Sequence, residues 1–208
     1  MLVVDPDDAV ESDAADATRR RAKIRRLRNV MLIVLAVVVV VAGVIAGPTA
    51  WQVFQQRNTK VSAPDEVAGL RQDNSDNAKS TSEYIRDAVA TAVNLSDSVG
   101  AVYWDGSNQE RSILFTGGGA RLWSPADQLS SAFKLITDDT GGVRDVRTVP
   151  AGPLGGVMQC GTTTTDGGDI TVCGWADHGS LAVALFPNRA VDESAKLMVE
   201  MRTAMEHR

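Results

Sequence analysis

The sequence predicts a single N-terminal transmembrane helix followed by an α+β extracytoplasmic domain, in which helices pack on one face of an antiparallel sheet. Three observations carry this expectation. Residues 30–46 are an unbroken apolar run, VMLIVLAVVVVVAGVIA. A dense basic cluster stands directly before that run. Beyond it, short alternating segments bounded by turn residues are interleaved with stretches of helical period.

The apolar run is long enough to cross a hydrocarbon core of about 30 Å as a helix, at roughly 1.5 Å per residue. Valine is a mediocre helix former in water, but in lipid the backbone must satisfy its own hydrogen bonds, and the helix wins. A buried core helix would show a polar face somewhere along its length, and this run shows none. Orientation follows from Arg19, Arg20, Arg21, Lys23, Arg25, Arg26 and Arg28. On the far side the nearest cation is Arg57, so the N-terminus is expected in the cytoplasm and the rest outside the plasma membrane. Trp51 and Phe54 suit the outer interface. A cleaved signal peptide is the rival reading, with Val44-Ile45-Ala46 as a loose processing site, against which stand the long preceding tail and Pro48. The Arg run matches a twin-arginine signal poorly, and no Cys follows to carry a lipid. Gly43 and Gly47 have the small-xxx-small spacing that lets two membrane helices approach, which raises a homodimer through this segment. The plainer reading is that Gly47-Pro48 marks the helix exit.

The expected organisation is a disordered cytoplasmic tail over 1–29, acidic and then Arg-rich, a membrane helix over 30–50, a stalk over 51–79 and the domain over 80–208. The stalk expectation rests on Pro64 and the polar stretch 72–77, where no apolar period recurs. The domain opens with a capping box at Ser80 and Glu83, followed by Ile85, Ala88, Val89 and Ala92 at helical spacing. Strands follow over 99–104 and 112–115. Gly117-Gly118-Gly119 reads as a flexible connection, since no Lys-Ser/Thr completes a phosphate-binding loop. Ser124, Pro125 and Asp127 make the clearest helix start in the chain, and Gly141-Gly142 is its expected stop. Further strands are expected over 144–149, 156–161, 170–175 and 181–186. The last is apolar on both parities and so central in the sheet. Pro187-Asn188 opens a final helix with a stripe at Val191, Ala195, Met198 and Met205.

Cys160 and Cys173 are the only cysteines. Asp166-Gly167 between them is a strong two-residue hairpin turn, because a type I′ turn needs positive φ at both centres. Counting outward, Thr165 faces Gly168, Cys160 faces Cys173 and Met158 faces Trp175. The cysteines then fall on a non-hydrogen-bonded pair, about 4.5 to 5.5 Å apart at Cα and within disulfide range. An extracytoplasmic location is oxidising, in agreement. Redox-active pairs are spaced more closely, and no third Cys or paired His completes a metal set.

The stretches GPLGGVMQCGT and ITVCGWADHGSLAVALF, followed by a terminal helix containing Met201-Arg202, resemble uncharacterised actinobacterial single-pass membrane proteins. The resemblance covers roughly the last 60 residues and the tail-and-anchor layout, and it implies a compartment and a lineage without an activity. The excess of Arg over Lys, with abundant Ala, Val and Gly, fits a high-GC bacterial genome.

Few residues invite chemistry. His178 lies in a turn between strands, and His207 stands beside the C-terminus, where fraying is expected. No G-x-S-x-G elbow is present. The net charge of −5, with signs interspersed after residue 51, gives no basic, aromatic footprint for nucleic acid. No catalytic, cofactor or metal residue is therefore named, and no cofactor is expected. The expected function is a membrane-anchored extracytoplasmic binding module whose partners are membrane lipid and either a protein or a cell-envelope component. A signalling or sensor accessory protein is the alternative, and a cell-envelope hydrolase is the remote one.

Overall fold

The computed structural model describes residues 58–104, 108–136, 142–165 and 168–208, with Gly106 and scattered positions between 31 and 56. The chain divides into two units, Met1–Trp51 and Gln52–Arg208. In the first unit the described residues of the apolar run, Met31, Leu35, residues 37–40 and Val44, are helical and exposed. The rest of the expected membrane segment lies outside the described residues. Among the described residues, no helix is long and apolar enough to cross a membrane.

The second unit is an α+β domain built on an eight-stranded antiparallel sheet. Its strands are β2 (Glu66–Val67), β3 (Leu70–Gln72), β4 (Ser96–Trp104), β5 (Ile113–Gly119), β6 (Arg144–Val149), β7 (Val157–Thr165), β8 (Gly168–Ala176) and β9 (Ser180–Pro187). Their spatial order is β2-β3-β4-β5-β9-β8-β7-β6. The apolar strand β9 is central, as expected. A separate two-stranded ladder joins β1 (Lys60–Val61) to β10 (Glu206–His207).

Strand alternation divides the core into two clusters. Helices α1 (Asp76–Val93) and α2 (Pro125–Leu135) pack on one face, against Val172, Leu181 and Val183. Helix α3 (Val191–Met205) brings Met198, Met201 and Met205 against Cys173, Trp175, Ala184 and Phe186. These residues alternate with the first set along β8 and β9, so α3 covers the opposite face. The expected one-face packing thus describes the first two helices, and the third closes the other side of the sheet.

The expected stalk over 51–79 is corrected. Val61, Val67 and Leu70 are buried, and Arg71 and Gln72 pair with Trp104 and Tyr103. Strands of two or three residues show no readable period: β2 and β3 form a hairpin across Ala68-Gly69, and long-range pairing to β10 and β4 orders β1 and β3. Helix α1 also begins earlier than the Ser80 box. Ser75 is its N-cap, its side chain accepting from the amide of Ala78, and Asn94 closes it with a left-handed φ of 56°. The expected flexible glycines are strand residues of β5. Gly117 lies directly over Ala182, where a Cβ would collide with the alanine's own. Helix α2 starts at Pro125 as expected but ends at Leu135.

Candidate functional site

The hairpin arithmetic is reproduced: Thr165 pairs with Gly168, Cys160 with Cys173 and Met158 with Trp175. Cys160 and Cys173 form a disulfide with Cα atoms 4.1 Å apart, slightly closer than the register alone suggests. Both cysteines are fully buried in the core, which fits a structural bond. The basic cluster Arg19, Arg20, Arg21, Lys23, Arg25, Arg26 and Arg28, and the pair Gly43 and Gly47, lie outside the described residues.

Two polar constellations missed by the sequence reading stand out. The first is buried. Arg202 sits on the apolar stripe of α3, its guanidinium 5.5 Å from the centre of the Trp175 ring, a cation–π distance. Its Nη2 donates to Asp177 Oδ2 at 2.9 Å and its Nε to Glu206 Oε2 at 2.7 Å. Nη1 donates to the carbonyl of Gly155 at 2.6 Å. Arg208 adds a second cation, donating to Asp177 Oδ2 at 3.0 Å and Glu206 Oε1 at 3.1 Å. Ser180 completes the cluster: its hydroxyl accepts from the Trp175 indole at 3.1 Å and faces Asp177 Oδ1 at 3.2 Å. Desolvation by burial, then the neighbouring charge of Asp177, pushes the Glu206 carboxyl above the ordinary carboxylate range against the pull of Arg202 and Arg208. A buried ion pair survives only when its remaining donors and acceptors are satisfied, as they are around Arg202. Ser180 is fully buried among these partners, so the constellation braces the fold and offers no reachable serine nucleophile. A sequence signal existed: the stripe at 195, 198 and 205 leaves position 202 facing the core, and an Arg stands there.

The histidines do not join this cluster. His178 Nδ1 lies 2.8 Å from the carbonyl of Leu122, and because a carbonyl only accepts, Nδ1 carries the proton. His207 is corrected from a frayed terminus. It pairs with Lys60 in the β1–β10 ladder, its Nε2 2.9 Å from the Ser62 hydroxyl.

The second constellation is open. A groove of about 890 Å³ runs between the C-terminal end of α1 and the 120–124 loop that leads into α2. Val93 and Leu122 give it an apolar floor, and Asn94, Arg121, Asp127 and Gln128 give it polar walls. Trp123 stands on its rim with 89% of its surface exposed. The loop carrying it is rigidly held. The amides of Ala120 and Leu122 donate to the carbonyls of Gly179 and His178 at 2.9 and 3.3 Å. The amide of His178 donates in turn to Gln56 Oε1 at 3.0 Å, and Gly179 lies so close to the Gln56 carbonyl that any side chain there would collide with it. A smaller hollow of about 300 Å³ continues past Arg121 to Lys60 and Asp97. Among the described residues, no group of three acidic, His or Cys side chains is arranged to hold a metal ion.

No protein-family model matches the chain, and neither the curated proteins nor the solved structures contain a match to it.

Proposed function

We propose that this chain is a single-pass plasma-membrane protein, anchored by residues 30–50 with its N-terminus in the cytoplasm. Its C-terminal domain is an extracytoplasmic binding module. The groove under Trp123 carries the binding part of this reading. A mostly exposed indole on a firmly bonded loop, over a pocket with an apolar floor and polar walls, has the composition of a recognition surface. The apolar run and its basic flank support the anchor and its direction. The buried disulfide supports an oxidising location for the domain. The likeness of the C-terminal third to actinobacterial single-pass proteins supports the same topology.

The test has two arms. Membranes from expressing cells are washed with alkaline carbonate, and a C-terminal reporter is assayed for its side of the membrane. The chain should stay in the pellet with the reporter outside; release, or a reporter active only in the cytoplasm, overturns the anchor. A photo-crosslinking residue replacing Gln128 should give a discrete adduct in growing cells. An adduct at Gln128 no more abundant than at an exposed control position away from the groove overturns the groove as the binding surface.

A further inference from the structure

We propose that the 120–124 loop rests in the headgroup layer of the bilayer that anchors the chain, so that the groove faces lipid and Trp123 is its membrane contact. This inference rests on the anchored topology proposed above. Trp123 is more exposed than any other large apolar side chain among the described residues. Indole is an amphipathic ring that settles at the membrane–water interface, where its apolar body and its N–H both find partners.

Chain connectivity supplies the second, independent argument. The loop is bonded through His178 and Gly179 to the Gln56 backbone and side chain. Gln56 follows the apolar run by about ten residues, which span no more than roughly 33–36 Å when fully extended. In the proposed topology so short a tether keeps this surface within reach of the outer leaflet.

The charges beside the loop are balanced. Exposed Lys60 and Arg121 share the hollow that continues the groove, and each is attracted to a phosphate headgroup. Asp97 and Asp127 line the same hollow and groove and oppose that attraction. The apolar contact of Trp123 is therefore the main term, and the contact depends little on lipid charge.

The experiment reconstitutes the full chain into vesicles of phosphatidylcholine and phosphatidylglycerol carrying bromine at a shallow or a deep acyl position. Tryptophan emission of the wild type is compared with that of Trp123→Phe, so that the difference isolates residue 123. The expected difference is blue-shifted and quenched more by the shallow bromine than by the deep one. A difference that stays water-like and unquenched, but is quenched by aqueous iodide, overturns the proposal in favour of a groove open to solvent or to a protein. Carbonate washing of the same vesicles separates the two levels. Retention with an unquenched Trp123 overturns the lipid contact alone, and release overturns the anchor and the contact together.

Discussion

The domain holds two polar constellations built in opposite ways. Around Arg202, two cations and two carboxylates are drawn into the core and bonded to one another and to backbone carbonyls. Around Trp123, one large aromatic ring is left in the open while the backbone beneath it is bonded firmly. Charge is costly to bury and an indole is costly to expose. The first arrangement finds its return inside the fold, in Asp177 and Glu206, and the second, in the proposed reading, finds it in a contact outside the domain. The contrast separates residues that maintain the structure from residues proposed to meet a partner, although both groups hang from the same short stretch between β8 and β9.

That separation can be broken by substitution. Arg202→Met should cost the most, about 3–5 kcal/mol, because it leaves Asp177 and Glu206 buried with less compensation; urea unfolding of the membrane-reconstituted chain measures it, and a loss under 1 kcal/mol would dissolve the distinction. Replacing both Cys160 and Cys173 with Ser should cost about 3 kcal/mol by releasing a loop of about 14 residues in the unfolded chain, seen as a lower urea midpoint that reducing agent does not lower further. Glu206→Gln tests the electrostatics of the buried cluster. The folded Glu206 carboxyl titrates above its unfolded value, so its stabilising contribution is complete below about pH 4 and fades as the pH rises through the folded value. The stability advantage of the wild type over Glu206→Gln should therefore shrink between about pH 4 and neutrality; a gap that grows over that range would reverse the sign. Trp123→Ala should have the smallest effect on stability, within about 0.5 kcal/mol, yet it should abolish the crosslink at Gln128. A stability loss comparable to that of Arg202→Met would show that Trp123 belongs to the fold after all.

Legibility in the sequence followed the range of the forces involved. The cysteine hairpin was readable to the residue because a two-residue turn sets its own register, and nothing distant needs to be known. Helix α2 was readable at its start, where Ser124 and Pro125 act locally, and misjudged at its end. Strand β1 and the β3–β4 pairing were not readable, since their partners lie more than thirty positions away, whereas the β2–β3 hairpin closes locally through Ala68-Gly69, both at positive φ, and that short-range signal was missed. Gly117 looked like a hinge because sequence shows that a side chain is missing and does not show Ala182 filling its place. The Arg202 cluster was half legible: its position on the stripe could be read, but its acceptors come from the β8–β9 turn, the C-terminus and the 150–155 loop. Trp123 was invisible as a site because exposure is a property of the assembled surface.

The β1–β10 ladder has a mechanical meaning. It sets the last residues of the chain beside the strand that opens the domain, with the Ser62 amide donating to the Met205 carbonyl at 2.9 Å next to it. A tension transmitted along the backbone through Gln56 arrives at this short clasp and at the His178 bond before it reaches the eight-stranded sheet. In the proposed topology the last residues act as a latch on the tether, and because Glu206 and Arg208 also belong to the buried cluster, removing them would loosen the clasp and strip Arg202 and Asp177 of partners at once.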